Sequence, residues 1–257
     1  MSELNGLTAL VTGGSSGIGL EYARQLLERG CRVIVVSNRE EELAEVAGRM
    51  TVETVYMDLA RPGCAQALLD WCDERQFNVD ILVNNAGMFF IEYLGEESLQ
   101  KAQTMMNLHI QTVTELCILF GSRMKERGKG YILNMSSMTA RIPAPGIAIY
   151  SASKAYLKSF SKGFGYEMRP FGVKVTTVCP AAVDTGLYKL GPKIRKAGRS
   201  LGLIQSTEAL VRRALRALER GRRTVSPGLM NVLLPPIIAI IPNRLIDRLG
   251  IKWMLKK

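Results

Sequence analysis

The sequence predicts an α/β chain, one doubly wound parallel sheet with helices on both faces. Three observations carry this. Short apolar runs of strand length alternate with amphipathic stretches of helix length from residue 7 to residue 226. The first run leads directly into a glycine-rich turn and then a helical stretch. Polar residues and glycine gather where strands end, the edge at which open parallel sheets hold ligands.

Residues 7–11 form a short apolar run, read as a buried parallel strand. Thr12, Gly13, Gly14, Ser15, Ser16, Gly17, Ile18 and Gly19 follow, then a helix over residues 20–29 closed by Gly30. In this strand–turn–helix context the glycines let a diphosphate approach the backbone, and free N–H groups at the helix start bind it. The second strand, residues 32–37, ends at Ser37, Asn38 and Arg39. An acid there would take a ribose 2′-hydroxyl and select NAD, whereas a cation accepts a 2′-phosphate. No acid precedes Glu40, so NADP is preferred, with Arg39 as phosphate partner. NAD stays open, because Arg39 reads equally as a helix-start surface residue.

Residues 40–50 read as a helix, 52–57 as the third strand ending at Asp58 and Leu59, and 62–75 as a helix with Trp71 in the core. The fourth strand, 79–83, ends in Asn84, Asn85, Ala86 and Gly87. One long helix is expected over 97–126, carrying Asn107, before a fifth strand at 130–135 and the pair Ser136 and Ser137. A further helix runs from near Ile149 to near Pro170, and the sixth strand, 172–179, is closed by Pro180. Residues 206–220 read as a basic amphipathic helix and 222–226 as a last strand.

Composition narrows the chemistry. The 257 residues are 47% apolar and 22% charged, as in a soluble globular protein. The opening residues lack a basic region before an apolar core, and no run of about 18 apolar residues suggests a membrane span. A cytoplasmic location is expected. The five cysteines are scattered and never spaced as Cys-x-x-Cys, which reads as reduced core thiols with no metal site. A single histidine, His109, leaves little room for histidine-based metal or Ser-His-Asp chemistry.

Tyr150 and Lys154 stand four residues apart, on one face of the expected helix. A phenol with a pKa of about 10 is a poor acid or base near neutrality, and a neighbouring ammonium draws it down. Taken alone, the pair reads as well as a surface contact.

Together and in order, these motifs resemble the short-chain dehydrogenases/reductases, in their single-domain Rossmann-type branch. The resemblance spans residues 5–226 and rests on Thr12, Gly17, Gly19, Asp58, Asn84 to Gly87, Asn107, Ser137, Tyr150 and Lys154. It implies hydride transfer between a nicotinamide and a carbonyl or alcohol carbon. Tyr150 would be the acid or base, and Lys154 would lower its pKa and hold the nicotinamide ribose. Ser137 would hydrogen-bond the substrate oxygen, with Ser136 the weaker candidate. Asn107 would kink its helix and hold a water in a relay to Lys154; the alternative is a solvent-facing polar residue. The cofactor set would comprise the glycine turn (Thr12, Gly13, Ser15 to Gly19), Asn38, Arg39, Asp58 and Leu59 beside the adenine, Asn85 to Gly87, Pro180, Val183 and Thr185. The sequence departs from the family in two places: Pro180 is followed by Ala181 where glycine is usual, and Asn38 replaces the commonest NADP arginine.

Residues 1–228 are read as the dinucleotide-binding catalytic domain and 229–257 as an apolar and basic tail. The loops expected around the substrate carry Met88 to Ile91, Met138, Ile142, Pro143, Val183, Leu187, Tyr188 and Leu190, mostly apolar. A small apolar carbonyl or alcohol compound, lipid-, acyl- or sterol-like, is therefore expected. A 3-oxoacyl reductase working on carrier-bound chains and a non-catalytic nucleotide-sensing protein are the alternatives. The net charge of +11 resides in the last quarter, where 15 basic residues from Lys193 onward face three acids. That tail suits an anionic membrane surface or an acyl carrier, or else packing on the domain or a subunit contact. No nucleic-acid motif accompanies the charge, and a homo-oligomer is expected.

Overall fold

The computed structural model describes residues 2–181, 183, 205–228, 231 and 244. Thr185, Leu187, Tyr188, Leu190 and nearly all of the tail lie outside the described residues.

The strands are β1 (Thr8–Thr12), β2 (Arg32–Ser37), β3 (Glu53–Tyr56), β4 (Ile81–Asn84), β5 (Gly130–Met135), β6 (Val173–Val178) and β7 (Thr224–Val225). The helices are α1 (Gly17–Glu28), α2 (Glu40–Arg49), α3 (Cys64–Glu74), α4 (Leu99–Met106), α5 (Thr112–Glu126), α6 (Ala148–Met168) and α7 (Thr207–Glu219). The strands form one seven-stranded sheet in the order β3-β2-β1-β4-β5-β6-β7, with every pairing parallel. From β1 the chain builds outward through β2 and β3, then crosses back to place β4 on the other side of β1. The carboxyl ends of β1 and β4 therefore flank the switch point, where helices diverge and a crevice opens.

Successive strand residues point to opposite faces, and the core divides accordingly. Ala9, Val11, Val33 and Val35 pack with α1, α2 and α7 through Leu26, Leu43 and Leu215. Leu10, Ile34 and Val36 pack on the other face with α3, α5 and α6 through Leu68, Leu116, Phe120 and Leu157. All five cysteines are buried and unpaired.

The single long helix expected over 97–126 is not continuous. A 3-10 turn at Glu96–Ser98 leads into α4, a π turn at Asn107–Gln111 follows, and α5 completes the segment. No proline or glycine lies between residues 99 and 111, so residue-by-residue propensity carries no mark of the break. A single π turn inside an α-helix is rare and is frequent at functional sites.

A buried polar line fixes α6 against the sheet. Asn84 and Asn134 face each other in the β4–β5 register. The Asn84 amide donates to Asn134 Oδ1 at 2.8 Å, and Asn134 Nδ2 donates to Ser161 Oγ on α6 at 2.8 Å. Burial makes a lost partner costly. Asn134→Ala is expected to lower the unfolding free energy by about 1–3 kcal/mol in urea titration; a change below about 0.5 kcal/mol would contradict this role.

Candidate active site

The glycine turn lies where β1 ends. Gly13 has φ +61°, and a Cβ there would stand 2.8 Å from Ala86 Cα, so only glycine lets this turn rest on the loop after β4. Thr12 Oγ1 accepts the N–H groups of Asn85 and Ala86 at 2.9 and 3.0 Å. The Asn85 amide donates to the carbonyls of Thr12 and Gly13. Thr12, Gly13, Asn85 and Ala86 are thus brought together and brace the crevice. At the α1 start, Ser16 makes no side-chain cap and Gly17 is left-handed at φ +55°. The N–H groups of Gly17, Ile18 and Gly19 are the helix-terminal donors, directed at the crevice mouth. An uncapped helix start flanked by glycines suits the diphosphate of a nicotinamide dinucleotide.

At the tip of β2, Ser15 and Ser37 hydroxyls lie 2.8 Å apart, and Ser15 Oγ donates to Glu42 at 2.7 Å. Arg39 is exposed and donates to the other Glu42 oxygen at 2.5 Å. Partial burial pushes the Glu42 carboxyl up, but bonds from Arg39 and Ser15 outweigh it and hold it below the usual range. Glu42 therefore reaches back to the tip of β2 although it comes later in the sequence. Its spacing of three residues from Arg39 on a helix was the available signal. Asn38 is exposed beside them. Asp58 accepts the Ala60 N–H at 3.0 Å, and the buried Leu59 gives its carbonyl to Thr112.

The third group stands at the ends of β4, β5 and β6. Lys154, buried on α6, donates to the Met135 carbonyl at the end of β5 at 2.9 Å. Burial brings its pKa down from 10.5 to about 8, Cys179 opposing slightly. Its Nζ lies 5.7 Å from the Tyr150 ring centroid. Ser136 Oγ donates to the Lys154 carbonyl at 2.7 Å, which occupies it structurally. Ser137 is buried and accepts the Thr139 N–H at 3.2 Å, leaving its own proton to donate elsewhere. Pro180 gives its carbonyl to the Met138 N–H at 2.9 Å, and Val183 is buried and bridges to Gln205.

Asn107 opens the π turn, so the helix is irregular at that residue. Its side chain is half-buried and donates to the Ala60 carbonyl at 3.4 Å, toward the loop after β3. Tyr150 sits in an apolar cluster with Met105 and Ile147, against which Met88, Phe89, Phe90 and Ile149 pack. The Phe89 ring meets it edge-on at 4.9 Å. His109, fully buried, packs against Tyr150 as well, a neighbour that sequence reading gave no role. In chemical terms the arrangement is a phenol within reach of a buried ammonium, set among apolar side chains.

Comparison with known proteins identifies the family. Residues 7–193 match the family described as short chain dehydrogenase. The chain is 36% identical to a very-long-chain 3-oxoacyl-CoA reductase of Anas platyrhynchos over 195 residues, which cover 72% of this chain and 62% of that protein. It is 33% identical to the uncharacterized oxidoreductase DltE of Bacillus subtilis, covering 85% of this chain and 87% of the relative. A short-chain dehydrogenase from Sphingobium yanoikuyae in complex with NADPH superposes with a TM-score of 0.77 at 28% identity, covering 92% of this chain and 96% of that one. With the family match spanning most of the chain and the fold the same, this chain belongs to the short-chain dehydrogenases, and it is an oxidoreductase of that family.

Proposed function

We propose that this protein is an NADP-dependent reductase of long-chain carbonyl compounds, 3-oxoacyl groups foremost, with Tyr150 as its proton donor. The observation that carries this reading is the placement of Tyr150: its ring is walled by Met88, Phe89, Phe90, Met105 and Ile147, and Lys154 lies beneath it. A carbonyl group reaching the phenol must lie against apolar side chains, which favour an alkyl neighbour over a small polar one. The apolar wall continues outward. Ile91, Tyr93 and Leu94 are each about half exposed, and Glu92 of this loop donates its N–H to the Gly146 carbonyl just before α6. The name of the Anas relative points to the same substrate class.

In this reading, Ser137 donates its free proton to the substrate oxygen and holds the carbonyl in place as negative charge gathers there. Tyr150 delivers its proton to that oxygen, and Lys154 stabilises the phenolate left behind. A water relay from Asn107 toward Lys154, which the family resemblance implies, would require its amide to turn from the Ala60 carbonyl to which it donates. When bound, the nicotinamide supplies the hydride. The Thr12–Gly19 turn would hold its diphosphate and Asp58 with Leu59 the adenine side; a 2′-phosphate would draw Arg39 off Glu42, the acid that the 2′-hydroxyl of NAD would otherwise meet. On the nicotinamide side, Asn85 to Gly87, Pro180, Val183 and Thr185 complete the set.

Assayed in detergent with NADPH, the protein is expected to turn over long-chain 3-oxoacyl thioesters and bulky apolar ketones. Turnover confined to small polar ketones would defeat the reading. Arg39→Ala is expected to raise the KM for NADPH about tenfold or more, as loss of a charge-assisted contact does, and to leave the KM for NADH within about twofold; equal effects on both would remove Arg39 from the 2′ site.

Lys154 gives a stability test in the cofactor-free protein. Its folded pKa, about 8, lies below the ordinary 10.5. The unfolded chain therefore binds more protons between these values, and the native state gains stability as pH rises through the window. Below about pH 8 the buried charge costs about 3 kcal/mol, offset in part by the Met135 carbonyl. Lys154→Met is therefore expected to lose turnover while being closest to, or above, wild-type stability at pH 7. That advantage should shrink by pH 10 in chemical denaturation; a constant difference would contradict a buried cation.

A further inference from the structure

His109 takes no part in the proton transfer proposed above, yet its ring is fully buried between three elements that shape the site. It lies in the π turn between α4 and α5. Nε2 accepts the Met88 N–H, from the loop after β4, at 3.0 Å. A ring nitrogen that accepts carries no proton, so the proton of the neutral ring is on Nδ1. Nδ1 lies 3.0 Å from Ser153 Oγ, and Ser153 Oγ in turn donates to the Tyr150 carbonyl at 2.8 Å. Donor and acceptor roles therefore run in one direction, from Met88 through His109 and Ser153 to Tyr150. The imidazole also meets the Tyr150 ring edge-on, centroids 5.9 Å apart. On the loop side the fit is close: a Cβ on Gly87 would stand 3.1 Å from Nε2.

The charged group facing this ring is Lys154 on α6; β4 and its loop offer backbone only. Burial first, and then that ammonium, keep the imidazole pKa well below its ordinary 6.5. A protonated ring would lose the Met88 bond.

We propose that His109 is a positioning residue: as a neutral Nδ1–H imidazole it ties the first turn of α6, and Tyr150 with it, to the Gly87–Met88 loop. The phenol and the apolar wall at Met88–Phe90 are thereby held in one relative geometry. This rests on Tyr150 being the proton donor. Misplacement of a reacting group by about 1 Å can cost on the order of a hundredfold in rate, so a strut of this kind acts on kcat.

The test pairs His109→Phe, which keeps a ring and removes both nitrogens, with Ser153→Ala, which cuts the middle link and leaves the packing. Each is expected to lower kcat about tenfold or more, with the KM for NADPH within about twofold. The double variant should be no slower than the slower single, because both cut one line. Full additivity, or kcat within about twofold of wild type in Ser153→Ala, would overturn the proposal. Nitrogen-15 NMR of the wild type reads the strut without turnover. A neutral ring protonated on Nδ1, and a Met88 amide slow to exchange in the wild type but faster in His109→Phe, are expected. An Nε2-protonated or cationic ring would overturn the proposal. A wild type that reduces no carbonyl compound would defeat the functional reading instead, and the NMR result would still decide the strut.

Discussion

A buried ammonium organises this site. Lys154 has been taken out of water on α6, and a lone cation in such a place is tolerated only with a fixed oxygen opposite it. That oxygen is the Met135 carbonyl at the end of β5. Holding it there requires that α6 cross the sheet at one height and one rotation. Ser136 reaches the Lys154 carbonyl, and the Asn84–Asn134–Ser161 line ties α6 to β4 and β5. Tyr150, one turn earlier on the same helix face, inherits this placement. The stability that the cation costs is thus spread over strands and helix, and the phenol stands beside it with little freedom to move.

Around this polar pair the fold sets apolar material. Met105 and Ile147 pack on Tyr150, and Met88, Phe89 and Phe90 close the outer side. An apolar wall strengthens the interaction between ammonium and phenol by excluding water. In the function proposed above it would also favour an apolar substrate, since whatever brings its carbonyl carbon to the phenol must tolerate the same surroundings. On that reading, proton transfer and substrate preference would follow from one packing arrangement. At the far end of the crevice the requirement is opposite. The glycine turn and open helix start offer backbone N–H groups, and Arg39 offers a cation held by Glu42.

Much of this was legible in the sequence because it is local. A strand, a glycine turn and a helix are read from adjacent residues, as are the Tyr150–Lys154 spacing and the polar ends of β4 and β5. What escaped depends on contacts between distant segments. The break at Asn107–Gln111 bears no proline or glycine, and its π turn answers to packing against the β3 loop and α6. His109 looked like an argument against histidine chemistry when counted, yet its meaning lies in Met88 and Ser153, 21 and 44 residues away. Glu42 escaped because it follows the strand tip in sequence, whereas its side chain reaches back to Ser15 there.

The central claim is that the Tyr150 phenol delivers the proton at a site whose cofactor crevice is formed independently of it. Its most direct measurement is a single turnover with NADPH deuterated at the transferable position and a long-chain 3-oxoacyl thioester, in wild type and Tyr150→Phe. The account predicts that label appears on the carbinol carbon of the wild-type product. The variant should bind NADPH with unchanged affinity and transfer no label on the same timescale. Label transfer by Tyr150→Phe at the wild-type rate would contradict the account.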